Sequence, residues 1–230
     1  GGIVHFFFFF FHNSTLLSYS LSFSFLIVAF ISPILSAIAD YTGNKKRFMQ
    51  FFCYLGSLSV MSLFFFTGVE NLWIGIVFTI LASIGFWGSF VFYNSYLPEI
   101  AHPEQQDRVS AKGFMFGYTG SVLLLAFNLV MVMKPELFGI TDASLPARIS
   151  FLMVGLWWMG FAQVTFYHLP NNVFHKKPEK DFIFKGFKEL REVLKGLKSL
   201  TSLKQFLTAF FMYSVGVQTI ILLLGIYVKK

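Results

Sequence analysis

Residues 71 to 98 read NLWIGIVFTILASIGFWGSFVFYNSYLP, and these 28 residues include no Asp, Glu, Lys or Arg. Because a helix rises about 1.5 Å per residue, about 20 residues cross the roughly 30 Å hydrocarbon core of a bilayer. Lipid cannot hydrogen-bond exposed backbone amides, which leaves helices and closed barrels as the only spanning structures. The stretch is too long and too evenly apolar for a barrel strand, so we predict a transmembrane helix.

Five further stretches without charged residues are also long enough to cross a bilayer. They occupy residues 16 to 39, 48 to 67, 113 to 133, 149 to 169 and 205 to 228. The whole chain is 56% hydrophobic and only 13% charged, which is more apolar than a soluble domain could bury. The sequence therefore predicts an all-α, polytopic transmembrane helix bundle whose main partner is the lipid bilayer.

The apolar stretches divide the chain into four regions. Residues 1 to 15 include an apolar run too short to span a bilayer, and we interpret them as the remnant of a first transmembrane helix with its outer loop. Residues 16 to 169 hold five complete spans and form a first, N-terminal bundle. Residues 170 to 204 form a basic linker, and residues 205 to 230 begin a second, truncated bundle. The remaining transmembrane helices of the same protein are then expected partners.

Apolar residues recur at helical spacing within the linker, at Ile183, Phe187, Leu190, Leu194 and Leu197. Lysine and arginine cover the other faces of the same segment, so the pattern predicts an amphipathic helix. Two interpretations stay open. The helix is either a solvated connector or a surface helix that cationic side chains attract to lipid headgroups.

The basic residues are distributed unevenly between alternate loops. Loops 40 to 47, 99 to 112 and 170 to 204 hold 14 of the 18 Lys and Arg residues, whereas the other set holds four: Lys134, Arg148, Lys229 and Lys230. The positive-inside rule places the first set in the cytoplasm. We expect a multi-pass protein of the cell inner membrane. The net charge of +7 follows from this topology, so no nucleic-acid partner is expected.

A charged motif, PILSAIADYTGNKKR, occupies residues 33 to 47, at the end of one predicted span and the start of the next. An acid and several cations at a half-dry membrane face can pair across helices in one conformation and separate in another. Each such pair is worth about 1 kcal/mol, which is weak enough to break during a functional cycle. We predict that Asp40, Gly43, Lys45 and Arg47 belong to a cytoplasmic latch. The alternative is a turn with ordinary positive-inside charges.

This motif resembles the loop signature between helices 2 and 3 of the major facilitator superfamily. Asp40, Gly43 and Lys45 match the signature. The chain departs from it at three positions, where the family has a glycine, a basic residue and an arginine: Ser36, Tyr41 and Asn44.

A second motif reads NSYLPEIA at residues 94 to 101 and continues as DRVSAKG at residues 107 to 113. Together with the first motif and LWW at residues 156 to 158, it resembles a bacterial group of major facilitators related to the fungal autophagy-related vacuolar amino-acid effluxers. The resemblance runs from about Ser18 to Leu169. It implies that Glu99 ends the fourth helix of the fold, that Arg108 begins the fifth, and that the two form the second half of the latch. Alternatively, the two charges only fix the turn between them.

Small and polar residues mark the span that follows Lys112. Gly113, Gly117 and Ser121 recur every four residues, and this spacing predicts a face where another helix approaches closely. Asn128 returns to nearly the same face, so its amide either bonds a neighbouring helix or lines a substrate path. Other polar residues in the spans are further candidates for a substrate path: Asn94, Tyr118, Gln163 and Gln218.

No Asp or Glu lies inside any of the six charge-free stretches. Proton relays in transporters usually use a membrane-embedded carboxylate or histidine, so a proton-coupled protein would need its coupling acid elsewhere. The resemblance implies the same conclusion, because the family's first helix carries an Asp-Trp-Ala-Asn-like stretch that this sequence does not contain.

The sequence contains none of the common catalytic or ligand-binding patterns. We find no glycine-rich phosphate loop, no nucleophile elbow and no zinc-binding spacing of His or Cys. His102 and Glu104 are close in sequence, but two potential ligands do not make a metal site. We therefore expect no enzymatic activity, no catalytic residue, no cofactor and no metal.

The resemblance implies a secondary active transporter of the major facilitator type, in which two helix bundles alternate in access to a central site. Its solute would be small and polar, with amino-acid efflux as the family example. A sugar–cation symporter of the melibiose type would need acidic residues in its first two helices, but residues 16 to 39 have none. A membrane-embedded enzyme and a membrane scaffold without transport also stay open.

Overall fold

The computed structural model describes residues 3–6, 9–171, 191, 195–196 and 201–227. The chain forms two compact units, Gly1–Lys177 and Pro178–Lys230. The amphipathic helix that the sequence predicts between Ile183 and Leu197 lies largely outside the described residues. The described helices are α1 (Asn13–Thr42), α2 (Lys45–Ser62), α3 (Leu72–Ser95), α4 (Leu97–Ile100), α5 (Gln106–Met133), α6 (Leu145–His168) and α7 (Thr201–Tyr227).

The expected all-α transmembrane bundle is confirmed. In the part of the chain that the structure describes, four helical segments are long and apolar enough to cross a membrane: Lys45–Phe65, Val69–Ile100, Pro103–Met133 and Leu145–His168. Short 3₁₀ turns extend these segments beyond the α-helices at Leu63–Phe65, Val69–Asn71 and Pro103–Gln105. Helix α1, of 30 residues, contains the charge-free stretch 16 to 39, and helix α7, of 27 residues, contains residues 205 to 227 of the last stretch. The protein is therefore a multi-pass integral membrane protein.

The first residues fold differently from the expected helix remnant. Strands β1 (Ile3–Phe6) and β2 (Phe9–His12) pair as an antiparallel hairpin in which Ile3 lies opposite His12. Phenylalanine, which fills most of this segment, favours extended structure. The helical structure of the chain begins only at Asn13.

Glycines bring α2 into close contact with α3 and α6. A methyl group at Gly85 of α3 would overlap the backbone of Gly56 in α2 and lie 2.7 Å from the carbonyl oxygen of Phe52. On α6, a methyl group at Gly155 would lie 2.7 Å from the carbonyl oxygen of Ser57. Small residues allow helix backbones in a membrane to approach this closely. Helix α2 is therefore the centre of the first unit.

The ring of Trp158 packs beside the contact between Gly56 and Gly85. A methyl group at Gly56 would overlap the Trp158 ring, so the glycine accommodates the indole as well as the helix backbone. A cluster of buried side chains continues along the same three helices: Met49, Phe52, Cys53, Phe92, Tyr96 and Phe166. Aromatic packing therefore extends the contact that the glycines begin.

The close approach that the sequence predicts on α5 does not occur at the predicted glycines. Among the described residues, a methyl group at Gly117 would meet nothing within 4 Å, and one at Gly113 would meet only the Tyr93 hydroxyl, at 3.0 Å. Ser121 is exposed, and its hydroxyl donates to the carbonyl oxygen of Gly117 in its own helix. The face of α5 therefore meets α3 at Gly113, whereas at Gly117 it borders a space that no described residue fills.

We predict that Gly85→Ala destabilises the protein by about 1–3 kcal/mol, because the new methyl group overlaps backbone that cannot move aside. Gly160→Ala is the matched control, since no atom of the described part of the chain lies within 4 Å of a methyl group at that position of α6. Thermal unfolding of the purified full-length protein in detergent would measure both. Equal melting temperatures for the two variants would contradict the glycine contact.

Candidate functional site

The charged end of the first unit begins with the turn between α1 and α2. Gly43 has φ of 70° and is buried, so it adopts a left-handed conformation that ends α1. A residue with a Cβ atom is strained in this conformation, which explains why the motif places glycine here. The turn puts Lys45 in the first turn of α2.

Lys45 forms an ion pair with Glu99 across the two motifs. Its Nζ atom lies 2.7 Å from Glu99 Oε1, and the side chains are 19% and 26% exposed. A cation in the first turn of a helix opposes the helix dipole, so the carboxylate of Glu99 offsets an unfavourable position of Lys45. We call Lys45 and Glu99 the latch pair. It joins two motifs that the sequence separates by 54 residues.

The end of α6 is tied to the same region. Lys46 Nζ donates a hydrogen bond of 2.9 Å to the carbonyl oxygen of Leu169, and Tyr96 Oη donates one of 3.4 Å to the carbonyl oxygen of Pro170. These carbonyls follow the last turn of α6 and have no partner further along the helix. Helices α2, α3 and α6 therefore meet at the charged end through polar as well as apolar contacts.

The other predicted latch residues lie near the pair but outside it. Asp40 lies in the last turn of α1, and its side chain lies outside the described residues. Arg47 is exposed and lines a small polar cavity of about 270 Å³ with Gln50 and Asn171. Arg108 is exposed and forms no ion pair with the acids that the structure describes.

The structure therefore gives Glu99 a partner that was not predicted from the sequence. Ala101 is extended, and a 3₁₀ turn at Pro103–Gln105 separates the acid from the start of α5. Arg108 follows this turn, in the first turn of α5, whereas the packing of α2 on α3 brings Lys45 to Glu99. The sequence signal that could have identified the pair is the presence of both residues at predicted helix ends on the same membrane side.

The end of the bundle opposite the latch pair carries few Lys and Arg residues. Arg148 of α6 donates a hydrogen bond of 2.6 Å to the carbonyl oxygen of Phe64, and its guanidinium lies 4.5 Å from the centre of the Phe64 ring. Just before α6, the backbone and side chain of Ser144 both donate to Asp142 Oδ1. These hydrogen bonds lower the pKa of Asp142. Among the described residues of the first unit, loops 40 to 47 and 99 to 112 thus lie at one end of the bundle, and Lys134 and Arg148 lie at the other.

A cavity of about 700 Å³ opens among α2, α3, α5 and α6, within the membrane-spanning segments. Eighteen of the described residues line it; seven of these are aromatic, and none of them is Asp, Glu, Lys, Arg or His. The residues that reach it include Cys53 of α2, Phe90 of α3 and Trp157 of α6. Its volume is within the range of small-molecule sites. The cavity exists because α5 stands apart from its neighbours along the Gly117 face.

Asn128 is the notable polar residue of this cavity. It is only 8% exposed, it lines the cavity, and its Oδ1 atom has no hydrogen-bond partner among the described residues. An unpaired buried carbonyl costs about 1–3 kcal/mol. The described part of the chain provides no helix partner for this oxygen, and a role of Asn128 in a substrate path stays a prediction.

Three of the other candidates for a substrate path, Asn94, Tyr118 and Gln163, are not among the described residues that line the cavity. Asn94 and Tyr118 are exposed. Gln163 accepts a hydrogen bond of 3.0 Å from Tyr54 Oη and donates one of 2.9 Å to the carbonyl oxygen of Met159, so its amide is already paired. Gln218 lies in α7, and its side chain lies outside the described residues. A role for these four residues stays a prediction.

The aromatic walls of the cavity were not predicted from the sequence. Trp157 and Phe161 pack with ring centres 4.7 Å apart, and Phe86 contacts Trp158 edge to face at 6.0 Å. Aromatic residues are so frequent in this sequence that no pattern distinguishes these from the rest. Among the residues that the structure describes, no cluster holds three or more potential metal ligands.

Comparison with known proteins gives a consistent result. A family model described as "Vacuole effluxer Atg22 like" matches residues 2–230. An "Uncharacterized MFS-type transporter YxiO" of Bacillus subtilis (strain 168) is 32% identical over 206 residues, which cover 89% of this chain and 48% of the relative. An "Autophagy-related protein 22-2" of Aspergillus oryzae is 25% identical over 207 residues, covering 64% of this chain and 34% of the relative.

The chain spans about half the length of the Bacillus relative and about a third of the Aspergillus one. No solved structure matches this chain. The relatives are described as a transporter and as autophagy-related proteins, and these names do not favour a sugar–cation symporter.

We predict a coupling free energy of about 0.5–1 kcal/mol between Lys45 and Glu99 in a double-mutant cycle of Lys45→Gln and Glu99→Gln. The matched control cycle combines Arg108→Gln with Glu99→Gln and should give a coupling near zero. Unfolding of the full-length protein by detergent titration would measure both. A larger coupling to Arg108 than to Lys45 would contradict the observed pair.

Proposed function

This chain belongs to the Atg22-like vacuole effluxer family, and we propose that it works as part of a secondary active transporter of the major facilitator type. In this proposal the described bundle is the first of two that alternate in access to a central solute site. The solute is small and polar, and amino-acid efflux is the transport activity. The cell inner membrane is the proposed location, with loops 40 to 47, 99 to 112 and 170 to 204 in the cytoplasm.

The cavity with its buried, unpaired Asn128 is the observation that carries this proposal. A buried amide inside a membrane bundle is costly unless something pairs with it. A passing solute with a hydrogen-bond donor would pair with Oδ1, and would leave again because one such hydrogen bond contributes only about 1 kcal/mol. A scaffold without transport would have no use for a cavity of about 700 Å³ with an unpaired polar group.

The latch pair supplies the gating element of the proposal. Lys45 and Glu99 are partly exposed, so their ion pair is worth about 1 kcal/mol or less. An interaction of this size biases an equilibrium between two conformations without fixing it. The hydrogen bonds from Lys46 and Tyr96 to the end of α6 lie beside the pair. Opening of the charged end would therefore change all three contacts together.

Solute flux should depend on the sign of the charges in the latch pair. We predict that Lys45→Glu or Glu99→Lys alone lowers amino-acid flux about tenfold, because like charges then face each other and shift the conformational equilibrium by about 1.4 kcal/mol. The double exchange, Lys45→Glu with Glu99→Lys, should restore flux to within about twofold. Reconstituted full-length protein in liposomes is the assay.

Lys134→Glu is the control for charge alone, since Lys134 is exposed at the opposite end of the bundle. Wild-type flux in the single reversals would remove the latch pair from the mechanism. If liposomes with the wild-type protein showed no more amino-acid flux than liposomes without protein, the result would argue against transport itself.

Filling the cavity should block transport without unfolding the bundle. Ser121 and Thr119 are both exposed hydroxyl residues of α5, and each donates to a carbonyl four residues earlier. Only Ser121 lines the cavity. We predict that Ser121→Trp lowers flux at least about tenfold, because the indole occupies the solute's space, while Thr119→Trp changes flux less than about twofold. Equal flux in the two variants, at equal melting temperature, would exclude the cavity from the path.

A further inference from the structure

The first turn of α2 carries more positive charge than the described residues neutralise. Lys45, Lys46 and Arg47 occupy this turn, which contains no acid. The positive end of the helix dipole lies at the same place and makes a cation there unfavourable. Glu99 pairs with Lys45, whereas Lys46 and Arg47 form no ion pair with the acids that the structure describes. The side chain of Asp40, at the end of α1, lies outside the described residues.

Lys46 and Arg47 both line the small polar cavity of about 270 Å³ at this end of the bundle. Lys46 Nζ donates one hydrogen bond to the carbonyl oxygen of Leu169, and Arg47 is exposed, so both cations keep donors for a ligand. No carboxylate is among the described residues that line this cavity. Three amide side chains complete its polar lining: Asn44, Gln50 and Asn171. Two cations in a concave site without an acid favour an anionic ligand.

Asn44 adds a second requirement to the ligand. It is the residue before α2, yet its side chain makes no capping hydrogen bond to the helix. Its Oδ1 atom is buried and has no hydrogen-bond partner among the described residues. A buried oxygen in a polar site is costly unless a bound molecule supplies a donor. A ligand that carries a hydroxyl beside its anionic group would satisfy both the cations and this oxygen.

The cavity lies where two membrane-spanning segments end. The segment that contains α2 begins at Lys45, and the segment of α6 ends at His168. The residues on either side of these two ends therefore lie near the level of the lipid headgroups. Phosphate is the anionic group of that layer, and clusters of Lys and Arg beside a span attract anionic lipids.

We propose that this cavity binds the headgroup of an anionic phospholipid that carries a hydroxyl, such as phosphatidylglycerol. In this site Lys46 and Arg47 bind the phosphate oxygens, and Asn44 Oδ1 accepts a hydrogen bond from the headgroup hydroxyl. The bound headgroup contacts both the start of α2 and the residues that follow α6, because Asn171 lines the same cavity. The site does not depend on the transport proposal.

The first experiment compares three lipids with the same acyl chains. Phosphatidylmethanol has the charge of phosphatidylglycerol but no hydroxyl, and phosphatidylcholine has no net charge. Native mass spectrometry of the full-length protein in detergent would measure one-to-one binding of each lipid. We expect phosphatidylglycerol to bind about tenfold more tightly than phosphatidylcholine and about threefold more tightly than phosphatidylmethanol.

Charge variants test whether the cavity produces this preference. Lys46→Gln with Arg47→Gln should weaken phosphatidylglycerol binding about tenfold, to the level of phosphatidylcholine. Arg108→Gln with Lys112→Gln is the matched control, because it removes two exposed cations from the same end of the bundle but outside the cavity. It should change binding less than about twofold. Lys46→Arg with Arg47→Lys keeps both charges and should bind within about threefold of the wild type.

Asn44→Ala tests the hydroxyl contact separately. We expect this variant to bind phosphatidylglycerol and phosphatidylmethanol equally, and still to prefer both over phosphatidylcholine, because only one hydrogen bond is lost. The substitution removes no capping hydrogen bond of α2, so the variant should fold as the wild type does. Equal binding of phosphatidylglycerol and phosphatidylmethanol by the wild-type protein would overturn the role of Asn44.

Equal binding of all three lipids by the wild type, or an unchanged preference after Lys46→Gln with Arg47→Gln, would overturn the whole proposal. An equal loss in the control pair would also overturn it, because diffuse positive charge would then explain the binding. Glycerol phosphate in solution distinguishes a lipid from a free phosphate. We expect it to compete weakly, and displacement of the lipid at equal concentration would assign the site to a soluble phosphate compound and overturn the lipid assignment.

Discussion

The close approach of α2 to α3 and α6 determines where the other parts of the bundle lie. At Gly85 and Gly155 the backbone of one helix lies directly against the backbone of α2, and the side chain of Trp158 packs on Gly56. This contact fixes the rotation of α2 about its axis and its position along that axis relative to α3 and α6. It thereby places Lys45 beside Glu99 at one end of the helix and Cys53 at the cavity wall in its middle. Membrane helices gain such contacts from small residues because lipid supplies no hydrophobic force between them.

Helix α5 takes no part in the glycine contact among α2, α3 and α6. Its small residues, Gly117 and Ser121, face the space between the helices. A tightly packed three-helix centre and a separate fourth helix together produce a cavity whose walls are aromatic. The stable part can therefore hold the latch pair and most of the aromatic walls in place, while α5 contributes the polar residue Asn128. This division of roles is consistent with a bundle that binds and releases a solute.

The sequence predicted the helices well because absence of charge over 20 or more residues depends on local composition alone. It also identified both charged motifs and singled out Asn128 by its position on the α5 face. It could not identify the partner of Glu99, since the choice between Lys45 and Arg108 depends on packing between α2 and α3. Nor could it distinguish the glycines that contact a helix from those that face a cavity, because both occur at similar spacing. The first residues form a hairpin and not a helix end, which a short apolar run cannot reveal.

Access of a reagent to the cavity tests the central claim most directly. In a Cys53→Ala background, Ser121→Cys places a single thiol on the cavity wall, and Thr119→Cys places one on the outer face of the same helix. The account predicts that a mixture of amino acids slows modification of the thiol at position 121 by a methanethiosulfonate reagent and leaves position 119 unaffected. Equal rates at position 121 with and without amino acids would contradict the account.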